Sequence, residues 1–335
     1  MRAPVLLEVK DLHTHFPLSE GLVCAVDGVS LNIHRGETVG LVGESGCGKS
    51  VLARSILRIV PPPGTIAGGQ ILYHRPVGNQ AETVDLTALD ADDAILRFIR
   101  GLEIAMIFQE PMSSLNPVYT IGQHIVEAIQ MHQPVSKQQA LQQAIDMLRK
   151  VGMPNAARTA HRYPHQLSGG MCQRAMIALA LSCYPSLLIA DEPTTALDVT
   201  TEAQILELML DLQHEFGMAI LFITHNLGLI AQMTERVLVM YLGRVVEEAD
   251  VDTLFYNPKH PYTQALLRSI PRLGPRDRNA RLYSIRGVVP EPYETPPGCP
   301  FHPRCEQMRP GVCDQEEPPW VTIVTGHRVR CVLYS

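Results

Sequence analysis

The chain has 335 residues, of which 46% are hydrophobic and 19% are charged, a composition typical of an ordinary soluble globular protein. This length accommodates one large domain and an appendage. The net charge of −6 argues against a nucleic-acid partner, which usually requires a basic balance. No apolar run reaches the ~18 residues that span a bilayer, and Glu8, Lys10 and Asp11 interrupt the short apolar start. We therefore expect a cytoplasmic protein whose membrane role depends on a partner.

The first part of the chain predicts strands that lead into a helix. Alternating apolar residues predict strands at 6–12 and 25–33, and a short apolar run predicts a buried strand at 37–43. A helix is expected at 49–60, because its apolar residues recur at helical spacing and the pattern stops before Pro61.

The loop between this buried strand and this helix has the residues that bind phosphates. The segment GESGCGKS fits G-x-x-x-x-G-K-[ST], in which successive backbone N–H groups cradle the phosphates. Lys49 can reach the β- and γ-phosphates of a nucleotide, and Ser50 can offer its hydroxyl to Mg²⁺. We expect nucleotide contacts from Gly43, Glu44, Ser45, Gly46, Cys47, Gly48, Lys49, Ser50 and Val51. The loop alone leaves the protein unidentified, because kinases, GTPases and motors share it.

Four further segments follow in order. IAMIFQE at 104–110 predicts a core strand, and a helical stretch after it contains LSGGM at 167–171. LLIADE at 187–192 is an apolar strand closed by Asp191, the usual place for a carboxylate that holds Mg²⁺ directly or through water. ITHN at 223–226 ends the next apolar strand.

The LSGGM segment resembles the signature loop of ATP-binding-cassette (ABC) ATPases, and its place before the acidic strand is that family's order. The resemblance implies an α/β P-loop NTPase fold with a mostly parallel core sheet, an antiparallel β subdomain, a helical subdomain and a small cysteine-containing C-terminal extension. It implies a nucleotide-binding domain at 1–255, with the helical subdomain at about 111–180, and an extension at 256–335. RVLVMYLGRVVEEA predicts a hairpin near the end of the domain, with Gly243 at its turn.

The same resemblance implies the catalytic residues. Glu192 corresponds to the general base that polarises the attacking water. His225 corresponds to the switch histidine that contacts the γ-phosphate, and Gln109 to the Q-loop glutamine that senses Mg²⁺ and the γ-phosphate. With Ser50, Gln109 is thus a predicted Mg²⁺ contact. Phe16 lies where the family places an aromatic ring under adenine.

A further set of residues is expected to act on a second cassette. In this family the signature loop, here Ser168, Gly169 and Gly170, completes the nucleotide site of a facing cassette, and Asp198 corresponds to the D-loop at the same interface. Since one chain has one P-loop, the resemblance implies a two-cassette assembly that binds ATP between its members.

The segment NPKHPYTQALLRSIP at 257–271 resembles the tail of ATPase subunits from oligopeptide and dipeptide importers. This implies an ATP-hydrolysing subunit that powers peptide import from the cytoplasmic face of the membrane. The implied partners are a second ABC ATPase in a heterodimer, two transmembrane permeases and an extracytoplasmic substrate-binding protein, with no nucleic acid. ATP and Mg²⁺ are the implied cofactors.

Two alternatives stay open at the level of the sequence. The same subfamily also moves nickel, oligosaccharides and antimicrobial peptides, and its partners select the substrate. Some ABC ATPases of translation or DNA repair work without a membrane, but they carry two cassettes or a long coiled-coil insertion, which this chain lacks. Because Glu192 and His225 are both present, a cassette with a purely structural or regulatory role is disfavoured.

Eight cysteines divide by position. Four are scattered through the body and are expected to be small apolar residues, namely Cys24, Cys47, Cys172 and Cys183. The other four lie within the last 37 residues, at Cys299, Cys305, Cys313 and Cys331.

The clustered cysteines suggest a metal, because a reducing cytoplasm disfavours disulfides. Their spacing, C-x5-C-x7-C-x17-C, lacks the C-x2-C pairs of zinc ribbons, whereas iron–sulfur clusters tolerate wider spacing. Some peptide-importer ATPases with a similar tail carry a [4Fe–4S] centre. We therefore expect a [4Fe–4S] cluster, with Zn²⁺ or four free thiols as alternatives. We expect the ATP site to be built from other segments and to bind nucleotide independently of this quartet.

Overall fold

The computed structural model describes residues 3–77, 80–195, 197–270, 284–291 and 293–335. Contacts along the chain divide it into two compact units. Unit 1 comprises Met1–Glu8, Asn32–Thr38 and Leu72–Ile223, and unit 2 comprises Val9–Leu31, Val39–Ile71 and Thr224–Ser335.

Strands and helices alternate along much of the chain. Within the described residues the strands are β1 (Val5–Leu18), β2 (Gly21–His34), β3 (Thr38–Val42), β4 (Thr65–Val77), β5 (Gln80–Asp85), β6 (Ile104–Ile107), β7 (Leu187–Asp191), β8 (Ala219–Thr224), β9 (Arg236–Tyr241), β10 (Arg244–Asp250), β11 (Trp320–Val324) and β12 (His327–Arg330). The helices are α1 (Lys49–Ile56), α2 (Ala94–Leu102), α3 (Pro111–Ser114), α4 (Ile121–His132), α5 (Lys137–Lys150), α6 (Ala156–Thr159), α7 (Gly169–Leu181), α8 (Val199–Phe216), α9 (Leu227–Met233), α10 (Val251–Tyr256) and α11 (Pro261–Ser269).

Unit 1 is built on three parallel strands in the order β6-β7-β8. Ile107 lies opposite Ala190, and Asp191 lies opposite Ile223. Every residue of these strands is buried, as expected for parallel strands covered on both faces. The carboxyl ends of the three strands therefore fall at one edge, where ligands bind in open α/β sheets.

Helices α3 to α7 occupy the chain between β6 and β7. Two of them begin with complete capping boxes, in which Thr120 and Gln123 start α4 and Ser136 and Gln139 start α5. Each box satisfies two backbone N–H groups that the first turn leaves open. The all-helical stretch expected at about 111–180 is present in these residues.

Unit 2 contains the strand order β11-β12-β10-β9-β3. β3 and β9 are parallel, with Val42 opposite Val239, whereas β9, β10, β12 and β11 pair antiparallel in succession. Gly243 makes the predicted turn between β9 and β10 with φ +79, a left-handed conformation that glycine adopts without steric cost. Residues 9–18 of β1, 21–31 of β2 and 65–71 of β4 also belong to this unit, and the strand order is β2-β1-β4.

The predicted fold class is confirmed, with parallel core strands, antiparallel strands and a helical stretch. The C-terminal extension contains strands that the sequence analysis did not anticipate, since β12 pairs with β10 and extends the sheet that holds β3. In the part of the chain that the structure describes, no helix has both the length and the apolar character needed to cross a membrane.

Candidate functional site

The predicted phosphate-binding loop joins β3 to α1 in unit 2, and its glycines are required by close backbone packing. A Cβ atom on Gly43 would lie 2.2 Å from the carbonyl oxygen of Met240, and one on Gly48 would lie 2.0 Å from that of Ala25. Gly48 is also the N-cap of α1, with φ +100. Only glycine fits these two positions, so the loop can wrap tightly and present its N–H groups at the helix N-terminus.

Lys49 is the cation of this loop and is 5% exposed. Its ammonium donates to the carbonyl oxygens of Gly43 at 2.8 Å and Glu44 at 3.0 Å. Cys47 is buried beside it, and burial raises the pKa of its thiol, so this side chain is neutral at pH 7. Of the two serines of the loop, Ser45 is exposed and Ser50 is half-buried.

The two predicted acidic residues lie at the end of β7 in unit 1. Asp191 is buried, at 2% exposure. Glu192 follows it with φ +48, a strained conformation for a residue with a side chain. Its N–H donates to the carbonyl oxygen of Ile223 at 2.9 Å, which holds the strained backbone against β8. The two neighbouring carboxylates are therefore turned in different directions by the backbone.

The structure brings Gln109 and Glu192 together, as their expected roles require. The Gln109 side-chain amide donates to Oε2 of Glu192 at 3.0 Å, and the Thr195 hydroxyl donates to the same oxygen at 3.0 Å. The sequence analysis did not anticipate Thr195, although it lies three residues after Glu192 and a hydroxyl at that distance can reach back to the carboxylate. This pair of donors orients the carboxylate expected to act as the general base.

The predicted signature loop and D-loop residues are neighbours in unit 1. Ser168 is the N-cap of α7, and Asp198 is the N-cap of α8, where it accepts from the Thr201 N–H at 3.0 Å and hydroxyl at 2.7 Å. A Cβ atom on Gly170 would lie 2.7 Å from Cγ2 of Thr201, so the two helix starts touch. Ser168, Gly169 and Asp198 are exposed. They form one polar surface that is open to a partner.

The two remaining predicted nucleotide contacts are placed as follows. His225 is exposed and immediately follows β8, before Asn226 caps α9 by accepting the Gly228 N–H at 2.9 Å. Phe16 lies on β1, where its ring covers Gly64 so closely that a Cβ atom on that glycine would lie 2.5 Å from it. An aromatic face held in this way is suited to stacking against a base.

The four C-terminal cysteines lie around a single cavity in unit 2, which His260 and Phe301 also line. Each sulfur accepts a backbone N–H. Arg309 donates to Cys313 at 3.3 Å, and the other donors are Phe301 to Cys299, Gln307 to Cys305, and Leu333 to Cys331. Such N–H···S bonds stabilise thiolate sulfur and tune iron–sulfur clusters.

Burial raises the pKa of Cys299 to about 12, and burial also raises the pKa of Cys305 and Cys331, so these three thiols are neutral at pH 7 without a ligand. Among the residues that the structure describes, no three His, Cys, Asp or Glu side chains form a group that could hold a metal ion. The four cysteines thus line one cavity, but their sulfur atoms are not grouped closely enough to hold a single metal ion. Of the body cysteines, Cys47, Cys172 and Cys183 are buried as expected, and Cys24 is half-buried.

Two tail residues, which the sequence analysis did not anticipate, contact Glu44 of the phosphate-binding loop. The Tyr262 hydroxyl accepts the Glu44 N–H, and the Arg304 guanidinium pairs with its carboxylate. Sequence patterns missed both contacts, which join residues 218 and 260 positions apart.

Comparisons with known proteins agree with this geometry. Residues 26–195 match the ABC transporter family, and residues 246–313 match the oligopeptide/dipeptide transporter C-terminal region. The chain is 50% identical to the oligopeptide transport ATP-binding protein AppD of Bacillus subtilis, covering 98% of this chain and 97% of that protein. It is 46% identical to the dipeptide transport ATP-binding protein DppD of Escherichia coli, covering 97% and 96%.

Solved structures show the same fold. A dimeric structure of a bacterial ABC transporter cassette is 28% identical and superposes with a TM-score of 0.64, covering 73% of this chain and 99% of that chain. A dimeric post-hydrolysis cassette bound to ADP and phosphate gives a TM-score of 0.63 over the same shares. The chain is therefore an ATPase that belongs to the ABC transporter family and carries the C-terminal region of the oligopeptide and dipeptide transporters.

Proposed function

We propose that this chain is the ATP-hydrolysing subunit that powers import of di- and oligopeptides across the cytoplasmic membrane, acting at its cytoplasmic face. The observation that carries the proposal is the C-terminal match at residues 246–313, together with near full-length similarity to proteins named for oligopeptide and dipeptide transport. A phosphate-binding loop with a buried lysine supports the ATP-dependent step.

The residues of the site fit ATP and Mg²⁺. The phosphate-binding loop offers N–H groups and the Lys49 ammonium to the phosphates, and Ser50 offers a hydroxyl to Mg²⁺. Asp191 supplies a carboxylate, the oxygen ligand that Mg²⁺ prefers. Gln109 is proposed to sense the metal and the γ-phosphate, and Phe16 to stack on adenine.

Hydrolysis needs an oriented water more than it needs covalent catalysis. We assign Glu192 as the base that accepts a proton from water as the water oxygen bonds to the γ-phosphorus and the bond to ADP breaks. Gln109 and Thr195 fix its carboxylate at 3.0 Å each, which supports this role. His225 is proposed to contact the γ-phosphate.

The partners of this chain follow from its signature surface. Ser168, Gly169 and Asp198 are exposed and Gly170 beside them is half-buried, and two structural relatives are dimeric cassettes. We assign these residues to the nucleotide site of a second ABC ATPase, within a complex that includes two permeases and an extracytoplasmic substrate-binding protein. No nucleic-acid partner is proposed.

We assign a [4Fe–4S] cluster to the cysteine cavity. Four thiols line it and each accepts a backbone N–H. A tetrahedral zinc site, with Zn–S bonds near 2.3 Å, would draw its four sulfurs to within about 4 Å of each other, whereas a four-iron cluster accepts wider separations. The sequence spacing, which lacks C-x2-C pairs, supports the cluster over zinc. The cluster would supply a covalent link between segments poor in apolar residues.

Transport assays test the peptide assignment. In cells lacking this gene, uptake of a labelled dipeptide should return with the wild-type chain and stay absent with the Lys49→Ala variant. Labelled Ni²⁺ and a labelled oligosaccharide, measured in the same cells, should be taken up equally with and without the chain. Restored uptake of either of these in place of the peptide would reassign the substrate and leave the ATPase role standing.

A further inference from the structure

One residue of the phosphate-binding loop is held by the C-terminal extension. Nη1 of Arg304 lies 2.6 Å from Oε2 of Glu44, and Nη2 lies 3.1 Å from Oε1. The contact is therefore bidentate, the strongest geometry for an arginine and a carboxylate. The Arg304 side chain is 4% exposed and that of Glu44 is 25% exposed, so water screens the pair weakly.

The extension also holds the backbone of Glu44. The Tyr262 hydroxyl accepts the Glu44 N–H at 2.9 Å, and Tyr262 is fully buried. Since the carbonyl oxygen of Glu44 accepts from the Lys49 ammonium at 3.0 Å, the conformation of this one residue also affects the cation that faces the phosphates. Side chain, N–H and carbonyl of Glu44 are thus all fixed.

Arg304 belongs to the segment that carries two of the cavity cysteines. It ends a short 3-10 turn, His302–Arg304, between Cys299 and Cys305. Phe301 lies on the same segment, and its ring centroid is 5.3 Å from those of both Tyr241 and Tyr262. The centroids of the two tyrosine rings are 4.6 Å apart. We call this segment, residues 299–305, the cysteine loop.

Through these contacts the cysteine loop is rigidly attached to the phosphate-binding loop. The three rings are buried, at 2% exposure or less, so a shift of the cysteine loop must displace the aromatic cluster or break the ion pair. Breaking it would leave Arg304 as an uncompensated buried charge, which is strongly unfavourable. The ion pair and the aromatic cluster therefore couple the two loops.

We propose that Arg304 and Tyr262 are positioning residues of the nucleotide site, and that order in the cysteine loop sets the affinity of this chain's own phosphate-binding loop for ATP. The inference rests on the proposed function, because it requires that this loop bind ATP. The extension then regulates binding from within the same chain. Neither residue touches the nucleotide, since both act through Glu44.

Binding of a fluorescent ATP analogue with Mg²⁺ to the purified full-length chain tests the inference. Arg304→Met should raise the dissociation constant about tenfold, the order expected on losing a charge-assisted hydrogen bond. Tyr262→Phe, which keeps the ring in the aromatic cluster, should raise the dissociation constant about threefold, as for loss of a neutral hydrogen bond. Arg304→Lys should recover part of the loss, because lysine keeps the charge without the fork.

A double-mutant cycle separates positioning from general damage. If Arg304 acts through Glu44, the variant with both Arg304→Met and Glu44→Gln should bind no more weakly than Arg304→Met alone, whereas independent effects would multiply. Coupling is also reciprocal. Saturating Mg-ATP should therefore slow backbone hydrogen–deuterium exchange in residues 299–305, read by mass spectrometry, in the wild type but not in Arg304→Met.

Arg286→Met is the matched control, since the Arg286 side chain lies in the same extension, is 83% exposed and contacts Glu306 at 3.8 Å. The substitution keeps the Arg286 carbonyl oxygen, which accepts from Nε of Arg304 at 3.2 Å. This variant should bind ATP as the wild type does. Binding within twofold of wild type by both Arg304→Met and Tyr262→Phe would overturn the inference, as would fully multiplicative effects in the cycle. Lys49→Ala identifies the other failure, because unchanged binding in that variant would overturn the proposed ATP site itself.

Discussion

At the scale of single residues, Glu192 is the carboxylate that we propose as the general base. Its φ of +48 is a conformation that costs free energy for a residue with a side chain. The Ile223 carbonyl oxygen holds the strained backbone of Glu192 by accepting its N–H. Gln109 and Thr195 hold its carboxylate by donating to it. Strain of this kind, fixed by three contacts, is typical of a residue whose direction matters for function.

Glu192→Gln should separate ATP binding from hydrolysis. Glutamine keeps the shape but accepts a proton poorly, so the assembled complex should bind Mg-ATP normally while its turnover falls at least about a hundredfold, the usual contribution of a general base. Lys49→Ala should instead weaken binding, because it removes the cation at the phosphates. Nucleotide binding and phosphate release, measured on the same samples, check both. Near-normal turnover in Glu192→Gln would contradict the assignment of the base.

Sequence motifs located Lys49, Asp191, Glu192 and Gln109, because each occupies a fixed offset from a strand end. Motifs could not locate Arg304, because its contact with Glu44 joins positions 260 residues apart and depends on how the tail folds. The only local signal was the HPYT segment that contains Tyr262, which marked a subfamily without indicating its contact.

At the scale of elements, the N-termini of α7 and α8 form the surface expected to meet a second cassette. Both begin with a polar cap, Ser168 and Asp198, and both caps are exposed. The lack of a side chain on Gly170 lets α7 approach Thr201 of α8. These features leave backbone N–H groups accessible at a helix start, which is a favourable place for a phosphate.

Ser168→Arg should damage the nucleotide site of the partner ATPase while leaving this chain's own site intact. The arginine fills the space that the partner's γ-phosphate needs, so turnover of the assembled complex should fall at least about tenfold. ATP binding to the isolated chain should stay unchanged, since the phosphate-binding loop is not altered.

Ser136→Arg is the control for that experiment, because Ser136 is also an exposed N-cap in unit 1, at the start of α5. It should cost similar helix stability, about 1 kcal/mol, without loss of turnover. Loss of ATP from this chain's own loop in Ser168→Arg would show that the signature surface does not act on a partner.

Secondary structure was predictable where periodicity or a turn residue was strong. The hairpin of β9 and β10 followed from apolar runs around Gly243. The hairpin of β11 and β12 was missed because β11 is an edge strand with no fully buried residue. Its two-residue turn, Thr325-Gly326, has φ +86 at the glycine and is the signal that could have located it.

At the scale of the whole molecule, the C-terminal extension is part of the unit that binds phosphate rather than an addition to it. Its strand β12 pairs with β10, in the same sheet as β3, which leads into the phosphate-binding loop. Buried Glu247 of β10 strengthens this junction, since it pairs with His327 of β12 at 2.8 Å and accepts the His260 N–H at 2.9 Å. The division into a nucleotide-binding domain at 1–255 and an extension at 256–335 stays a prediction.

Three of the cavity cysteines, Cys299, Cys305 and Cys313, lie in the part of the extension that has the fewest regular elements, from residue 284 to 319, where the described chain forms only a 3-10 turn. A segment with so little secondary structure needs a covalent or metal link to hold one conformation. Four sulfurs, each with a backbone N–H donor, provide that link when they bind a metal.

Protein purified without oxygen should therefore be brown, absorb broadly near ~400 nm and contain about four iron and four sulfide per chain, as thiolate-bound [4Fe–4S] requires. Replacing Cys299, Cys305, Cys313 or Cys331 by serine should lower both contents. Cys24→Ser is the control, since Cys24 is half-buried in the same unit and away from the cavity lining, and it should keep the full iron content. One equivalent of zinc in colourless protein would replace the cluster by a zinc site. Metal-free folded protein with four reactive thiols would contradict any metal at the cavity.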